Sequence, residues 1–345
     1  MQDRAPERDL DRATAALFGL ALGDAMGMPT QTLDRATIRA RYGRITGFVD
    51  PFDGHPVSQG LVAGQVTDDT EQTILLARGL IAAPTTFDQA GWAEDLLSWE
   101  REVWRRGLSD LLGPSTKRAL TALLDGIPAA ESGREGTTNG AAMRILPVGI
   151  AKPADRLEEL IDSVEAVCQV THNTGEAIAG AAAVAAVVSQ GVAGATFEDA
   201  LSQALRVARM GQGRGHQVGT HDMADRIERA LALAEIGDPD IIAEKVGTSV
   251  ASRESVPAAF AINRIADGDP WGSALIAANI GDDTDTIGAI AAGMAAACRG
   301  MGSLPADAVA HLQSVNTLPM EDLASDLLTI RYGKAAAMCR EDALS

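Results

Sequence analysis

The sequence predicts a mainly α-helical protein, and three observations carry that prediction. Apolar side chains recur at helical spacing in segment after segment, whereas almost no stretch alternates with period two over the length of a strand. Ala, Gly, Leu, Val and Ile dominate while aromatics make up only 3%, so the core has to be built from small and aliphatic groups. Helix against helix suits such a core, because alanine and glycine let backbones approach. No repeat of fixed period is present either, which disfavours a solenoid. No linker divides the 345 residues. The reading is therefore one domain over 1–345, with its motifs inside about 11–300.

Taken in order, residues 11–25 carry Ala15, Ala16, Leu17, Leu20, Ala21 and Leu22 at helical spacing, and the helix should stop at Gly27 to Pro29. Residues 28–64 are rich in Gly, Pro and Asp, with 45–49 as the strand-like piece; an irregular stretch of that length is usually functional or a surface excursion. Thr67-Asp68-Asp69-Thr70 then opens a helix. Thr67 or Asp68 is placed there to accept from the free N–H groups of the first turn, and carboxylates suit the dipole. Helices follow over 87–105 and 115–124, with a break over 133–138 and a short helix from Asn139 ending near Pro147. The pattern is strong over 157–171, 176–189 and 197–210. After the glycine-rich loop 211–219, helices are expected over 221–236, 240–247, 256–265, 271–279, 284–299, 306–316 and 321–328.

Charge narrows the partners. With 47 acidic against 29 basic residues the net charge is −18, a field that repels phosphate backbones and anionic lipid surfaces over about a Debye length. General nucleic-acid binding and membrane binding are not expected, while an anionic small molecule remains open if divalent cations invert the local field. Cys168, Cys298 and Cys339 are scattered in or beside apolar stretches, without zinc or disulfide spacing, and read as buried thiols in a reducing compartment. The N-terminal stretch is charged and lacks the apolar core of a signal peptide. The most apolar run, 178–188, falls short of the roughly 20 residues that span a bilayer. A cytoplasmic, soluble protein is expected.

Two acidic knots stand out. In Asn279-Ile280-Gly281-Asp282-Asp283-Thr284-Asp285-Thr286-Ile287-Gly288 the aspartates at 282, 283 and 285 crowd the mouth of an apolar run. They repel one another unless something cationic is held there, and capping a helix needs only one of them. The upstream knot, 67–70, reads equally well as a helix cap or as the other half of one site. Carboxylates and threonine hydroxyls without nearby His or Cys select Mg²⁺, Mn²⁺ or Ca²⁺ over zinc, and a shared site admits two ions. Gly23-Asp24-Ala25-Met26-Gly27 is either a helix end with a surface aspartate or part of the site. The loop Gly136 to Arg144 is either a plain turn or a cradle of N–H groups for a phosphate. His55 and His172 are lone histidines, a type more often structural than catalytic. The loop 211–219, with Arg214 and His216, is either an ordinary mobile loop or a cover over a ligand.

In their order along the chain, Gly19-Leu20-Ala21-Leu22-Gly23-Asp24-Ala25-Met26-Gly27, Thr67-Asp68-Asp69-Thr70, Asn139-Gly140-Ala141-Ala142-Met143-Arg144, Thr171-His172 and Asp283-Thr284-Asp285-Thr286-Ile287-Gly288 resemble the ADP-ribosylglycohydrolase family. That resemblance spans residues 19–288. It implies a compact single-domain orthogonal helix bundle, all-α, with two Mg²⁺ ions (Mn²⁺ a substitute) at the base of an ADP-ribose cleft. Thr67, Asp68 and Asp69 would bind metal from one side, and Asp283, Asp285 and Thr286 from the other. Asp69 or Asp283 would be the base assisting the water that attacks C1 of the ribose. Asp24, Gln31, Asn139, Gly140, Ala141, Ala142, Met143 and His172 would face substrate. The implied activity is release of ADP-ribose from a protein side chain or small acceptor.

Two departures from the family pattern matter. Asp282 stands where the family commonly has a second glycine, and Gln31 stands where a glutamate is frequent; a neutral amide cannot act as a general base. They leave room for a nucleoside or other small N-riboside as substrate, or for a silent ADP-ribose-binding or structural protein. A prenyl-diphosphate synthase, also all-α with two acidic motifs, needs aspartates at i, i+1 and i+4 on one helical face. Here Gln72 occupies that last position, so the spacing argues against it.

Overall fold

The computed structural model describes residues 4–108 and 113–333. Cys339, one of the expected buried thiols, lies outside them. The described residues are all-α and contain no strand, only three isolated bridges. The chain opens with α1 (Arg4–Gly27), α2 (Arg35–Tyr42), α3 (Asp68–Ala82), α4 (Gln89–Arg105) and α5 (Pro114–Leu124). Three short helices follow, α6 (Ala129–Ser132), α7 (Gly140–Met143) and α8 (Leu146–Ala151), then the long α9 (Leu157–His172), α10 (Gly175–Val192) and α11 (Phe197–Gln212). The remainder is α12 (Met223–Ala234), α13 (Pro239–Lys245), α14 (Ser252–Ile265), α15 (Pro270–Ile280), α16 (Thr284–Arg299), α17 (Ala306–Val315) and α18 (Met320–Tyr332).

The expected helices form, and the differences have local causes. Residues 28–64 hold α2, which is capped by Asp34 accepting from Thr37 N–H at 2.7 Å. The strand-like 45–49 has no partner strand. Instead the Asn279 side-chain amide pairs with Ile45, donating to its carbonyl at 3.0 Å and accepting from its N–H at 2.9 Å. Pro147 does not end a helix but sits in the first turn of α8, where its missing N–H is not needed. α14 begins four residues earlier than expected and runs through Pro257. The proline leaves the Arg253 carbonyl without its helical donor, and Arg226 Nη1 fills the vacancy at 3.1 Å.

At the centre lies α10, 18 residues with every side chain but Gln190 buried. It is long and apolar enough to pass for a membrane span by length and composition, but 94% of it is buried inside the protein, as befits a core helix. Against this core the most extensive helix pair is α1 with α16. Gly19, Gly23 and Gly27 make one stripe down α1 at four-residue spacing. A Cβ on Gly23 would stand 2.0 Å from the Gly288 carbonyl oxygen, and one on Gly27 would stand 2.4 Å from Asp285 Cα. Only glycine permits this approach, which lays the start of α16, with its acidic knot, against the end of α1. Thr30 and Thr284 seal the junction: Thr30 Oγ1 lies 3.0 Å from Thr284 Oγ1, and Thr284 Oγ1 donates to Gly27 O at 2.9 Å.

Candidate active site

The helix pair brings Asp24, near the end of α1, to the start of α3. Asp24 is wholly buried and takes four hydrogen bonds there. The Thr67 and Thr70 N–H groups donate to Oδ2 at 2.9 and 3.2 Å, Thr67 Oγ1 donates to Oδ1 at 2.7 Å, and Thr70 Oγ1 donates to Oδ2 at 2.5 Å. Thr67 does occupy the N-cap of α3, but its side chain caps nothing, contrary to expectation. The capping carboxylate comes from another helix. Asp68 and Asp69 are thereby relieved of backbone duty.

The downstream knot is set by its backbone. Asp282 adopts φ +67°, a left-handed conformation that favours glycine and that Asp tolerates better than most residues. Its N–H donates to Leu33 O at 2.8 Å and its carbonyl accepts from Thr32 N–H at 2.6 Å. The side chain is exposed. This explains the departure seen in the sequence: the position asks for a turn residue. Asp283 follows at the N-cap of α16, where again its side chain makes no cap. Its Oδ2 accepts from Asn139 Nδ2, which also reaches Ser255 Oγ at 3.0 Å.

Asp24, Asp68, Asp69, Asp283 and Asp285 are all buried, and among the described residues no Lys or Arg forms an ion pair with any of them. Burial pushes Asp24 up to about 6 despite its four donors, and pushes Asp283 to about 6 against the pull of Asn139. Asp68, Asp69 and Asp285 rise well above the usual carboxylate range, through burial first and then through the neighbouring aspartates. The two knots meet at Asp69: its Oδ2 lies 3.5 Å from both Thr67 Oγ1 and Thr286 Oγ1, while its Oδ1 is buried without any partner. An orphaned acceptor among five carboxylates that lack a cationic partner, together with two hydroxyls, suits hard divalent cations. The cage is loose as it stands. Among the described residues no three acidic, cysteine or histidine groups already converge on one point as a ligand cluster.

This floor opens into a cleft of about 180 Å³ lined by Asp68, Asp283, Asp285 and Thr286 together with Gln31, Asn139, Gly140 and Met143. Larger hollows exist, about 590 Å³ beside Arg331 and about 410 Å³ beside Arg118, but neither gathers buried carboxylates. The cleft thus unites most of the residues singled out in the sequence. Thr67 and Asp69 lie beneath it without lining it, and Asp24, Ala141, Ala142 and His172 stand behind its wall. Ala141 and Ala142 are core residues. His172 is fully buried, within 3.0 Å of Thr138 Oγ1 and 2.8 Å of Thr171 Oγ1, and a Cβ on Gly140 would meet its ring at 2.8 Å. Burial and the nearby Arg144 keep it neutral, well below the usual histidine range.

Gln72 and Arg144, noted in the sequence only for a spacing and a motif, turn out to support the site. Gln72 Nε2 donates to Asp68 Oδ2 at 3.4 Å while its Oε1 accepts from Arg144 Nη1 at 2.5 Å. Arg144, buried over the Trp92 ring at 5.2 Å, also donates to Thr171 Oγ1 at 2.5 Å. Only the spacing of Gln72 four residues after Asp68 signals the first contact; the second joins segments 72 residues apart. The loop 211–219 does not cover the cleft. His216 ties it to Asn173 and Gly175 through backbone bonds of 2.9 Å, and Arg214 pairs with Asp162 and Glu165 on α9.

Fold and site together define a class: an all-α protein whose buried carboxylates, suited to hard cations, floor a cleft. A family model described as ADP-ribosylglycohydrolase matches residues 5–337. YegU of Escherichia coli K12 is 32% identical over 331 residues, covering 94% of this chain and 99% of its own. ADP-ribosylarginine hydrolase Tri1 of Pseudomonas putida GB-1 is 29% identical over 351 residues, covering 97% of this chain and 86% of its own. A solved structure titled ADP-ribosylglycohydrolase-related protein complex shares the fold, with a TM-score of 0.68 at 24% identity over 94% of this chain and 99% of that one. The chain belongs to the ADP-ribosylglycohydrolase family, a family of glycoside hydrolases.

Proposed function

We propose that the protein is a Mg²⁺-dependent hydrolase that cleaves the glycosidic bond at C1 of a ribosyl group, releasing ADP-ribose from an ADP-ribosylated side chain or small acceptor. The observation that carries this reading is a cluster of five buried carboxylates without a cationic partner among the described residues, three of which, Asp68, Asp283 and Asp285, line a cleft. Thr67, Asp68, Asp69, Asp283, Asp285 and Thr286 are the residues that would hold two Mg²⁺ ions, with Mn²⁺ as a substitute. Bound there, the ions would supply the positive charge that grips ribose hydroxyls and orders water.

The chain's own groups account for the rest. Departure of the acceptor builds oxocarbenium character at C1, and a floor of carboxylates stabilises positive charge. Water forms the new C1–O bond as the bond to the leaving nitrogen or oxygen breaks, and one water proton has to be taken up. Asp69, with an oxygen free of partners, and Asp283, with one oxygen pinned by Asn139, are the bases assigned to it. Asn139 and Gly140 form the wall that faces the ribose, with His172 bracing Gly140 from behind. The buried thiols Cys168 and Cys298 suit a reducing, cytoplasmic setting.

The size of the cleft favours a second substrate class. A cleft of about 180 Å³ is smaller than the ≈ 300–1,000 Å³ usual for ligand sites, enough for one sugar ring, which supports a nucleoside or other small N-riboside. Incubation with ADP-ribosyl-arginine, ADP-ribosyl-serine, O-acetyl-ADP-ribose and a nucleoside panel at saturating Mg²⁺, with released sugar read by mass spectrometry, separates the two. No turnover of any ribosyl substrate sinks both.

A further inference from the structure

We propose that Gln31 is a locked, uncharged hydrogen-bond acceptor that reads a donor group on the ribosyl substrate, with Ser58 and His55 fixing which end of its amide faces the cleft. This rests on the hydrolase reading and deepens it.

The lock follows from counting protons. Ser58 Oγ donates its one proton to Met28 O at 2.7 Å, so toward Gln31, 3.0 Å away, the same oxygen can only accept. Only the Nε2 end of the amide carries protons. Nε2 therefore turns to Ser58 and Oε1 is left for the cleft that Gln31 lines, where it has no partner among the described residues. Ser58 is itself held: its N–H donates to His55 Nδ1 at 2.8 Å, beside the Val57 N–H at 3.2 Å. An imidazole that accepts at Nδ1 carries its proton on Nε2, and burial holds His55 in that neutral form. On the other side Thr32 stands at φ +64°, unusual for a β-branched residue, and its N–H is tied to the Asp282 carbonyl at 2.6 Å. The backbone around residue 31 is thus fixed from both flanks.

The same lock rejects a carboxylate. A carboxylate at position 31 has no proton to give, so Ser58 would have to turn its own proton away from Met28 O and leave that carbonyl unpaired. It would also share the cleft wall with Asp68 and Asp283, where like charges raise one another's cost. In this chain position 31 is therefore an acceptor without charge, and proton transfer falls to the aspartates.

The test uses the full-length protein, calorimetric binding of ADP-ribose, and turnover of whichever panel substrate the wild type cleaves best. Gln31→Met is expected to raise Kd or KM roughly tenfold with kcat changed far less, equally at all pH values relative to wild type. Gln31→Glu should show a loss that shrinks as pH is lowered, because a protonated carboxyl again offers Ser58 a proton and the cleft a carbonyl. Ser58→Ala frees the amide to turn and should raise Kd or KM about threefold. An effect on ADP-ribose Kd assigns the donor to a ribose hydroxyl; an effect confined to KM assigns it to an N–H of the leaving group. Unchanged Kd and KM in Gln31→Met, or a Gln31→Glu loss that is flat with pH, overturns the lock. A wild type that binds ADP-ribose but cleaves no ribosyl bond overturns the hydrolase reading instead, and the order of Kd values among the variants still decides on the lock.

Discussion

The two acidic knots look alike in the sequence and are built in different ways. The upstream one begins α3, and its first N–H groups are satisfied by Asp24, a carboxylate from α1. The downstream one is shaped by a left-handed turn at Asp282, clasped by the backbone of Thr32 and Leu33. One knot borrows a side chain and the other borrows a backbone. In both, the side chain at the N-cap makes no cap of its own helix, and of the aspartates at the helix start only Asp285 accepts a first-turn N–H, that of Thr286 at 3.0 Å. That shared outcome from unlike construction is what a ligand site requires: acidic oxygens held in place by other groups and left free to bind something else.

If the knots are halves of one site, damage to either should have the same result. Asp69→Asn and Asp285→Asn are each expected to abolish the calorimetric heat of Mg²⁺ binding. Turnover should fall by more than the about 10–100-fold typical of supporting residues. A variant of one knot that leaves Mg²⁺ binding intact would divide the site in two. Asp24→Asn probes the borrowed carboxylate. Mg²⁺ affinity should drop about 10–100-fold, and chemical denaturation should show a loss of about 1–3 kcal/mol, since an amide nitrogen then faces N–H donors.

A third expectation concerns pH. Asp24 and Asp283 have folded-state values raised from 3.8 to about 6, and Asp68, Asp69 and Asp285 are raised further. The folded protein therefore binds more protons than the unfolded chain. The stability contributed by the protonated forms is fully present below about 4 and is lost as pH rises through about 6 and beyond. In chelator the melting temperature should fall across that window by on the order of 5 °C. Added Mg²⁺ should restore it, with a larger shift at pH 8 than at pH 5. A Mg²⁺ shift independent of pH would separate the ions from these carboxylates. The smallest effect belongs to the borrowed backbone. Asp282→Gly should keep Mg²⁺ affinity and turnover within about twofold while raising stability by about 0.5 kcal/mol, as the left-handed turn suits glycine. Loss of Mg²⁺ binding there would make Asp282 a ligand instead.

Much of this was legible in the sequence. Helical periodicity located α3, α9, α10, α11 and α16 to within a few residues, because their apolar faces pack on the core and the period records it. The knots were legible because crowded carboxylates are costly without a purpose. What stayed hidden was set by distant contacts. Asp24 could be read as a helix-end surface residue or as part of the site, and its actual task, capping α3 from 43 residues away, shows only in the fold. Ser58 and His55 sit in an irregular stretch with no period to betray that they hold Gln31. Asp282 and Gln31 were both visible as departures from a family pattern, yet only backbone angles and proton counting distinguish a turn residue from a reader of substrate.

The glycine stripe of α1 has a consequence for how the site keeps its shape. With Gly19, Gly23 and Gly27 pressed to the backbone of α16, any partial slide of one helix along the other drives a Cβ into main chain. The next allowed seat is a whole turn away, about 5.4 Å, which would carry Asp285 off its place against Gly27. The pair behaves like an indexed gear with a single usable tooth. Its accuracy comes from missing atoms, so it cannot be worn down by the changes of side-chain rotamer that loosen ordinary cores.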